Sequence, residues 1–336
     1  MDSTSDDGVF LGVDGGGTKT AFALVLADGT VAATALAPSC YYLGQSIDLV
    51  REVLSAGVDA VCADAGTTPD LITHAFVALP GYGEVSADLT TLDTIPGQVL
   101  GHPRYGCDND MVAGWAGSLG AVDGVNVIAG TGSMAYGEHD GRRLRVGGWG
   151  ELFDDEGSAY WIAVRGLAAF AKMSDGRLPT GPLRERLADH LRLAADLDVV
   201  DVVLNRWQGD RARIAALARV VTEAADDGDT ACREILRDAG HALAGLVTST
   251  IAHLDYGADE VVPVSWSGGV FTNEAVRTAF REHLADAPVD LRDPLLPPVL
   301  GAALHAARLA GRPLHPEAVT RLRAHAPTVF PGGSDE

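Results

Sequence analysis

The stretch Val13 to Thr20, VDGGGTKT, follows an apolar run that begins at Val9. Glycine in a strand removes side chains that would otherwise pack, so three consecutive glycines predict a turn whose bare backbone has a purpose. We expect strands over Val9 to Gly15 and Thr20 to Leu26. Asp28-Gly29 predicts a second hairpin before a third strand that ends at about Leu36. The chain therefore opens with a β-meander.

The pattern then alternates between helix and strand. Periodicity predicts a helix from about Ile47 to Ala65, a buried strand from His74 to Leu79 and a helix that begins near Asp110. A second apolar strand, Gly124 to Ala129, leads into the glycine loop Gly130 to Ser133. Strand, glycine loop and strand thus occur twice, which indicates an α/β protein with a repeated sheet.

The second half of the chain is mostly helical by its period. The repeat continues with a hairpin of Met134 to Glu138 and Leu144 to Gly147 around Asp140-Gly141. Residues 156–256 then predict helices with breaks at 174–181 and 226–229, followed by a strand (261–265), a Ser267-Gly268-Gly269 turn, a helix (271–284), a last buried helix (297–310) and a tail after Pro313.

Composition excludes several classes of function. The 336 residues include 25 basic and 46 acidic side chains, for a net charge of -21. So few positive charges make a nucleic-acid partner or an anionic membrane surface a poor match. The acidic N-terminus lacks the basic start of a signal peptide, and no apolar run approaches the ~20 residues that span a bilayer, so we expect a cytoplasmic protein. The four cysteines form no CxxC pair, which argues against a zinc site or a disulfide framework.

The two glycine loops share a chemistry. Each offers backbone N–H groups and a hydroxyl without bulky side chains, which lets a polyphosphate approach within hydrogen-bonding distance. Asp14 at the end of the first strand would repel phosphate unless Mg²⁺ lay between them. A tight hairpin with a capping aspartate and a simple turn are the plain structural alternatives. Ser267-Gly268-Gly269 is a third glycine turn, where the missing side chains could admit an adenine ring.

These motifs together resemble the BadF/BadG/BcrA/BcrD group of the actin, Hsp70 and sugar kinase superfamily, and within it the N-acetylglucosamine kinases. The similarity runs from about Val9 to Ala310. VDGGGTKT resembles the first phosphate loop of the family, GTGS the second and SGG the adenosine loop. GGWGELFDDEGSAYWIA (147–163) is similar to the most specific stretch of the amino-sugar kinases, and PPVLGAALHA (297–306) resembles the closing helix.

The resemblance implies two ribonuclease-H-like domains with ATP in a cleft between them and the sugar deeper in that cleft. It implies domains over residues 1–113, completed by a helix at 297–311, and over 114–296 with a helical insertion, before a tail at 312–336. The ATP contacts that it implies are Gly16, Gly17, Thr18, Lys19, Thr131, Gly132, Ala215, Gly268, Gly269 and Asn273. Asp14 would hold Mg²⁺ through water.

The catalytic base is predicted within Cys107-Asp108-Asn109-Asp110. Transfer of a phosphoryl group to a hydroxyl needs a base that accepts the proton. Asp110 matches the family's Asn-Asp pair ahead of a small-residue helix, and we expect it to be the base. The alternative for Asp110 is an N-cap, and Asp108 is interpreted as a solvated or N-capping residue.

The sugar side rests on a second set of residues that match the family. A carboxylate such as Asp155 can accept two sugar hydroxyls. Trp149 could wall the sugar ring or belong to the core, and Glu156 could act only as a favourable charge at a helix N-terminus. The implied sugar contacts are Cys40, Asp110, Ser133, Met134, Gly148, Trp149, Gly150 and Asp155.

One departure bears on the identity of the sugar. Cys40 stands where N-acetylglucosamine kinases carry an asparagine, and a thiol is a weaker hydrogen-bonding group than an amide. Either Ser39 or a nearby tyrosine compensates, or the sugar differs there. The resemblance implies phosphorylation of N-acetylglucosamine at its C6 hydroxyl, with a possible homodimer. The alternatives are a glucosamine or other hexose kinase, an ATPase that activates a radical dehydratase, or a sugar-sensing regulator.

Overall fold

The computed structural model describes residues 8–257 and 259–326. The described residues divide into two compact units, which are residues 8–123 together with 292–326, and the described part of Gly124–Leu291. The strands are β1 (Val9–Gly15), β2 (Lys19–Leu26), β3 (Val31–Pro38), β4 (His74–Leu79), β5 (Tyr105–Asn109), β6 (Gly124–Ala129), β7 (Ser133–His139), β8 (Arg142–Gly147), β9 (Val262–Ser267) and β10 (Val289–Leu291).

Eleven α-helices lie in the described residues, with short 3₁₀ or π turns at Pro69–Leu71, Ser86–Asp88, Asp196–Asp198, Asp201–Arg206 and Gly269–Thr272. The α-helices are α1 (Asp48–Ala65), α2 (Leu89–Leu100), α3 (Asp110–Leu119), α4 (Ala159–Ser174), α5 (Pro182–Leu191), α6 (Arg211–Ala216), α7 (Ala218–Asp226), α8 (Thr230–His253), α9 (Glu274–His283), α10 (Pro298–Leu309) and α11 (Pro316–His325).

Each unit contains its own five-stranded sheet, and the two sheets have the same topology. The first has the order β3-β2-β1-β4-β5, and the second has the order β10-β9-β6-β7-β8. In each, three antiparallel strands come first in the chain, and two parallel strands then extend the sheet from the first strand. This arrangement confirms the predicted α/β fold with two ribonuclease-H-like sheets.

The first unit is held together by close packing at glycines. A Cβ atom on Gly12 of β1 would overlap the backbone of α10 at Val299 and Ala303. A Cβ atom on Gly301 of α10 would overlap the backbone of Gly117 in α3. The helix therefore lies against both the sheet and α3 at distances that only glycine allows.

Several elements differ from the sequence prediction. Helix α2 and strand β5 are absent from it: α2 contains Pro96, and β5 is only the short, mixed sequence YGCDN. The predicted helix over 271–284 starts later, because a 3₁₀ turn occupies Gly269–Thr272.

The C-terminal region also departs from expectation. The tail that was predicted from residue 312 contains α11, where Ala318 and Leu322 are buried. Arg321 of this helix pairs with Asp28 in the β2–β3 turn.

The first compact unit ends at Asp123 instead of residue 113, because α3 packs on α10 within that unit. None of the described helices is both long and apolar enough to cross a membrane.

The packing predicts an asymmetry between two helical glycines. Gly301→Ala should lower the free energy of unfolding by about 2–3 kcal/mol, because the new methyl group meets the backbone of α3. Gly245→Ala in α8 is the control, since the space beside Gly245 is open; it should leave stability unchanged or raise it by up to about 1 kcal/mol. Urea unfolding of both variants measures the difference, and equal effects would contradict the packing account.

Candidate active site

The first glycine loop closes the β1–β2 hairpin, and its glycines have different surroundings. The amide N–H of Gly16 donates to the carbonyl of Lys19 at 2.8 Å, which closes the turn. A Cβ atom on Gly15 would lie 2.7 Å from both Sγ of Cys40 and Cδ of Pro80, whereas the space beside Gly17 is open. Position 15 therefore requires glycine because neighbouring atoms pack against it. The exposed segment from Gly17 to Lys19 is the part of the loop that a phosphate could approach.

Asp14 lies at the carboxyl end of β1, next to this loop, and is partly buried. Desolvation raises the pKa of its carboxyl to about 6, and the charge of Lys19 opposes the shift only in part. An incompletely neutralised carboxylate at a strand end suits a hard divalent cation, which would restore the missing positive charge. The donor chemistry of Asp14 thus fits the predicted Mg²⁺, held directly or through water.

Asp14, Cys40 and Asp110 come together at one edge of the first sheet. Strands β1, β4 and β5 are parallel neighbours, so their carboxyl ends meet there. Burial raises the pKa of the Cys40 thiol to about 11, and the charges of Asp110 and Asp14 add to the shift. Cys40 itself has no exposed surface, so its predicted sugar contact has no accessible atom in this structure.

The cap of α3 is Asn109. Its side-chain oxygen accepts from the amide N–H of Met111 at 3.1 Å, and its Nδ2 donates to the carbonyl of Tyr82 at 3.0 Å. Asp110 is the first residue of the helix, and Asp108 accepts from the amide N–H of Asn109 at 2.7 Å. The N-cap interpretation of Asp108 and of Asp110 was therefore wrong, and Asp110 is not needed to cap this helix.

The second glycine loop joins β6 to β7 and is tied to the start of α4. The amide N–H of Gly130 donates to the carbonyl of Gly132 at 2.9 Å, and the carbonyl of Gly130 accepts from the amide N–H of Ala159 at 2.9 Å. The hydroxyl of Ser133 donates to the carbonyl of Glu156 at 2.7 Å. Thr131 at the tip is an exposed residue, while Met134 is half-buried.

Asp155 lies beside this loop and is 2% exposed. One carboxylate oxygen accepts from Nη2 of Arg211 at 2.6 Å, and the other accepts from the amide N–H of Ser133 at 3.4 Å. Burial raises the pKa of Asp155, and the charge of Arg211 is the largest effect that opposes the rise. Arg211, on α6, is the partner that the sequence prediction missed, because 56 residues separate it from Asp155.

The segment between β8 and α4 is an exposed loop. Gly148 and Gly150 have φ of +74° and +101°, a region that glycine favours. Trp149 is 75% exposed, which excludes the core alternative, and its amide N–H donates to Asp154 at 2.8 Å. Glu156 does not open the helix as predicted, since Ser158 is the N-cap of α4.

The third glycine turn follows β9. Gly268 has φ of +97°, and a Cβ atom there would overlap the backbone of Ala129, whereas the space beside Gly269 is open. Asn273 caps α9 through the amides of Ala275 and Val276. Only the open edge at Gly269 matches the predicted role of admitting a flat ring.

Two predicted ATP contacts in the second unit have structural roles here. The side chain of Asn273 is engaged at both ends, because its Nδ2 also donates to Thr222 Oγ1 at 3.0 Å. Ala215 is 6% exposed and packs among the helices, so only a small part of it could reach a ligand. Their contacts with ATP stay predictions.

Other polar partners of the loops were also missed by sequence reasoning. Asn126 on β6 donates to the hydroxyl of Ser267 at 3.1 Å, and Ser39 donates to the carbonyl of Gly16 at 2.7 Å. Asn126 interrupts an otherwise apolar strand, and that interruption is the signal that could have identified it. The sequence offers Ser39 only as a sugar contact that could compensate for Cys40, whereas in the structure its hydroxyl supports the first loop.

Comparison with known proteins finds relatives over most of the chain. The family model described as the BadF/BadG/BcrA/BcrD ATPase family matches residues 11–306. The chain is 29% identical over 312 residues to an N-acetyl-D-glucosamine kinase of Dictyostelium discoideum. This match covers 88% of the chain and 97% of the relative. It is 28% identical over 265 residues to an N-acetylmuramic acid/N-acetylglucosamine kinase of Clostridium acetobutylicum, which covers 78% of this chain and 85% of the relative.

A solved structure from Chromobacterium violaceum shares the fold. That protein, provisionally described as an N-acetylglucosamine kinase, has a TM-score of 0.70 and 26% identity, and the match covers 90% of this chain and 99% of that one. The resemblance deduced from the glycine loops is thereby confirmed.

The cap assignment predicts a difference between two adjacent residues. Asn109→Ala should lower the free energy of unfolding by about 1–2 kcal/mol, because the cap of α3 is lost. Asp110→Asn should cost less than about 1 kcal/mol, since the amide keeps the shape of the side chain and a favourable charge near a helix N-terminus is worth no more than that. Denaturant unfolding compares them, and a larger cost for Asp110→Asn would contradict the assignment.

The raised pKa of Asp14 predicts that replacing this carboxylate by a neutral amide stabilises the protein, and that the gain in stability depends on pH. From the unfolded value of 3.8 to about 6, the folded state binds more protons, so ionisation of Asp14 reduces stability as pH rises through that window. In EDTA, Asp14→Asn should therefore raise the free energy of unfolding by up to about 3 kcal/mol at pH 8 and by almost nothing below pH 4. Thermal unfolding at both pH values checks this, and a gain that is equal at the two would contradict it.

Proposed function

Because the chain belongs to the BadF/BadG/BcrA/BcrD ATPase family, we propose that it is an amino-sugar kinase that transfers the γ-phosphoryl group of ATP to the C6 hydroxyl of N-acetylglucosamine. The observation that carries this proposal is the position of Asp110. It is the first residue of α3, at the carboxyl edge of the first sheet, and Asn109 already caps the helix. The names of the two curated relatives support the choice of an amino sugar.

The proposed reaction assigns a role to each group. The C6 oxygen attacks the γ-phosphorus as its proton passes to the carboxylate of Asp110, and the bond from the γ-phosphorus to the bridging oxygen breaks to release ADP. Catalysis of this kind depends on positioning and charge stabilisation more than on covalent chemistry by the protein. Asp110 therefore needs only to hold and receive the proton at the attacking oxygen.

The two glycine hairpins would supply contacts for the phosphates. In the first unit the exposed segment from Gly17 to Lys19 offers backbone amides, a hydroxyl and an ammonium group. In the second unit Thr131 and Gly132 offer a hydroxyl and backbone. Gly268 and Gly269 would receive the adenosine. Mg²⁺, where bound, would neutralise phosphate charge, and Asp14 would hold it.

The sugar would be recognised by Asp155 and the loop that precedes it. The Asp155 carboxylate can accept two hydroxyl groups, since each oxygen has a second lone pair beside the one used within the protein. Trp149 is sufficiently exposed to lie against a sugar ring. Gly148, Gly150, Ser133 and Met134 complete the proposed sugar contacts. The C6 specificity and the acetamido group are the finer parts of the proposal.

A panel of sugars tests the proposal. Release of ADP should depend on an added amino sugar, with N-acetylglucosamine used better than glucosamine, glucose or N-acetylmuramic acid. Dependence on a different sugar would correct the substrate and keep the kinase. ATP hydrolysis without any sugar, in a protein that carries iron, would instead indicate an activating ATPase, and binding of sugar without turnover would indicate a regulator.

The base assignment predicts the effect of one substitution. Asp110→Asn should reduce kcat by at least about 100-fold, because the attacking hydroxyl loses its proton acceptor. Its affinities for ATP and sugar should stay within a few-fold of wild type, as measured by calorimetry. Asp108→Asn is the matched control and should retain most activity, since Asp108 is engaged with the amide of Asn109. A fully active Asp110→Asn variant would exclude Asp110 as the base.

A further inference from the structure

The guanidinium of Arg211 contacts both the second glycine loop and the Asp155 carboxylate. It is the first residue of α6, and its Nη2 lies 2.6 Å from Oδ2 of Asp155. A Cβ atom on Gly132 would lie 2.6 Å from the same nitrogen, so the guanidinium packs directly on the bare backbone of that loop. Any larger residue at position 132 would displace the arginine.

The carboxylate of Asp155 is held from two sides. Arg211 donates to one oxygen and the amide N–H of Ser133 donates to the other. Asp155 also has φ of +58°, a conformation that costs energy for a residue with a side chain. A buried carboxylate in such a conformation persists when its surroundings fix it, and Arg211 supplies the charged part of that support.

The charges around Asp155 are otherwise negative. Glu151 and Asp154, on the loop that leads to Asp155, both raise its pKa, as burial does more strongly. The charge of Arg211 lowers the pKa of Asp155, and Nε of Arg211 also lies 3.3 Å from Oε2 of Glu151. Removing the guanidinium would leave a buried carboxyl group among two like charges, and such a group becomes protonated more readily.

We propose that Arg211 is a positioning residue for sugar recognition, which orients the Asp155 carboxylate and keeps it in the ionised form that accepts sugar hydroxyls. The inference rests on the proposed kinase function and deepens it. Arg211 acts through Asp155, so its loss affects the sugar and leaves the nucleotide largely unaffected.

The test uses three variants of the full-length chain. Arg211→Met removes the charge and keeps most of the stem, Arg211→Lys keeps the charge without the planar fork, and Arg213→Met is the control. Arg213 has an exposed side chain on the same helix. Steady-state kinetics with the sugar and with ATP, from pH 5.5 to 9, give the readout, and thermal unfolding confirms that each variant is folded.

Arg211→Met should raise the KM for the sugar roughly tenfold or more at pH 7, as expected for loss of a charge-assisted hydrogen bond. The KM for ATP should stay within about twofold, because no nucleotide contact is removed. The acidic limb of kcat/KM for the sugar should move to higher pH, so that the defect is greatest at pH 6 and smallest at pH 9. In Arg211→Lys the acidic limb should lie close to its wild-type position, because the positive charge is kept. Arg213→Met should match wild type.

Two results would overturn the inference while leaving the kinase proposal intact. One is an active Arg211→Met variant with wild-type sugar KM and an unmoved acidic limb. The other is a uniform loss of kcat with lower thermal stability, an unmoved limb and no recovery in Arg211→Lys, which indicates a structural role only. If the wild-type protein phosphorylates no sugar, the proposed function itself fails, and the inference fails with it.

Discussion

Contact between backbones without intervening side chains is the constraint on which this structure depends. Gly12 and Gly301 let α10 lie directly against β1 and α3, and Gly268 lets the β9 turn lie against Ala129. In each case a single Cβ atom would overlap neighbouring backbone, which cannot move aside as a flexible side chain can. The same property that packs the sheets also leaves segments of backbone, at Gly17 and Gly269, beside open space where a ligand could approach.

In each unit a carboxylate that is buried or partly buried lies near one of these bare loops. Asp14 directly precedes the first glycine loop and Asp155 lies beside the second, and burial raises the pKa of both. The two are stabilised differently, because Lys19 only partly offsets the desolvation of Asp14, whereas Asp155 has the direct support of Arg211. Asp14, whose charge is only partly balanced, suits a metal ion. Asp155, whose charge is balanced by Arg211, suits the recognition of neutral hydroxyl groups.

Much of this arrangement was predictable from the sequence. Strands β1, β4 and β6 have the predicted bounds because each is a mainly apolar run that ends at a turn signal. The short strand β5 was not predictable, since its mixed residues become a strand only through pairing with β4. Arg211 and Thr222 were missed because their partners are distant in the chain. The sequence offers Asp108 and Asp110 as alternative caps and leaves out Asn109, because aspartate and asparagine cap equally well.

The central claim is that this chain forms a phosphate ester on the C6 oxygen of an amino sugar. Phosphorus–proton correlation spectroscopy on a reaction of the wild-type protein with ATP, Mg²⁺ and N-acetylglucosamine tests it most directly. The account predicts a new phosphorus signal coupled to the two protons on C6, formed in equal amount to ADP. Free phosphate without a sugar ester, or a signal coupled to the anomeric proton, would contradict it.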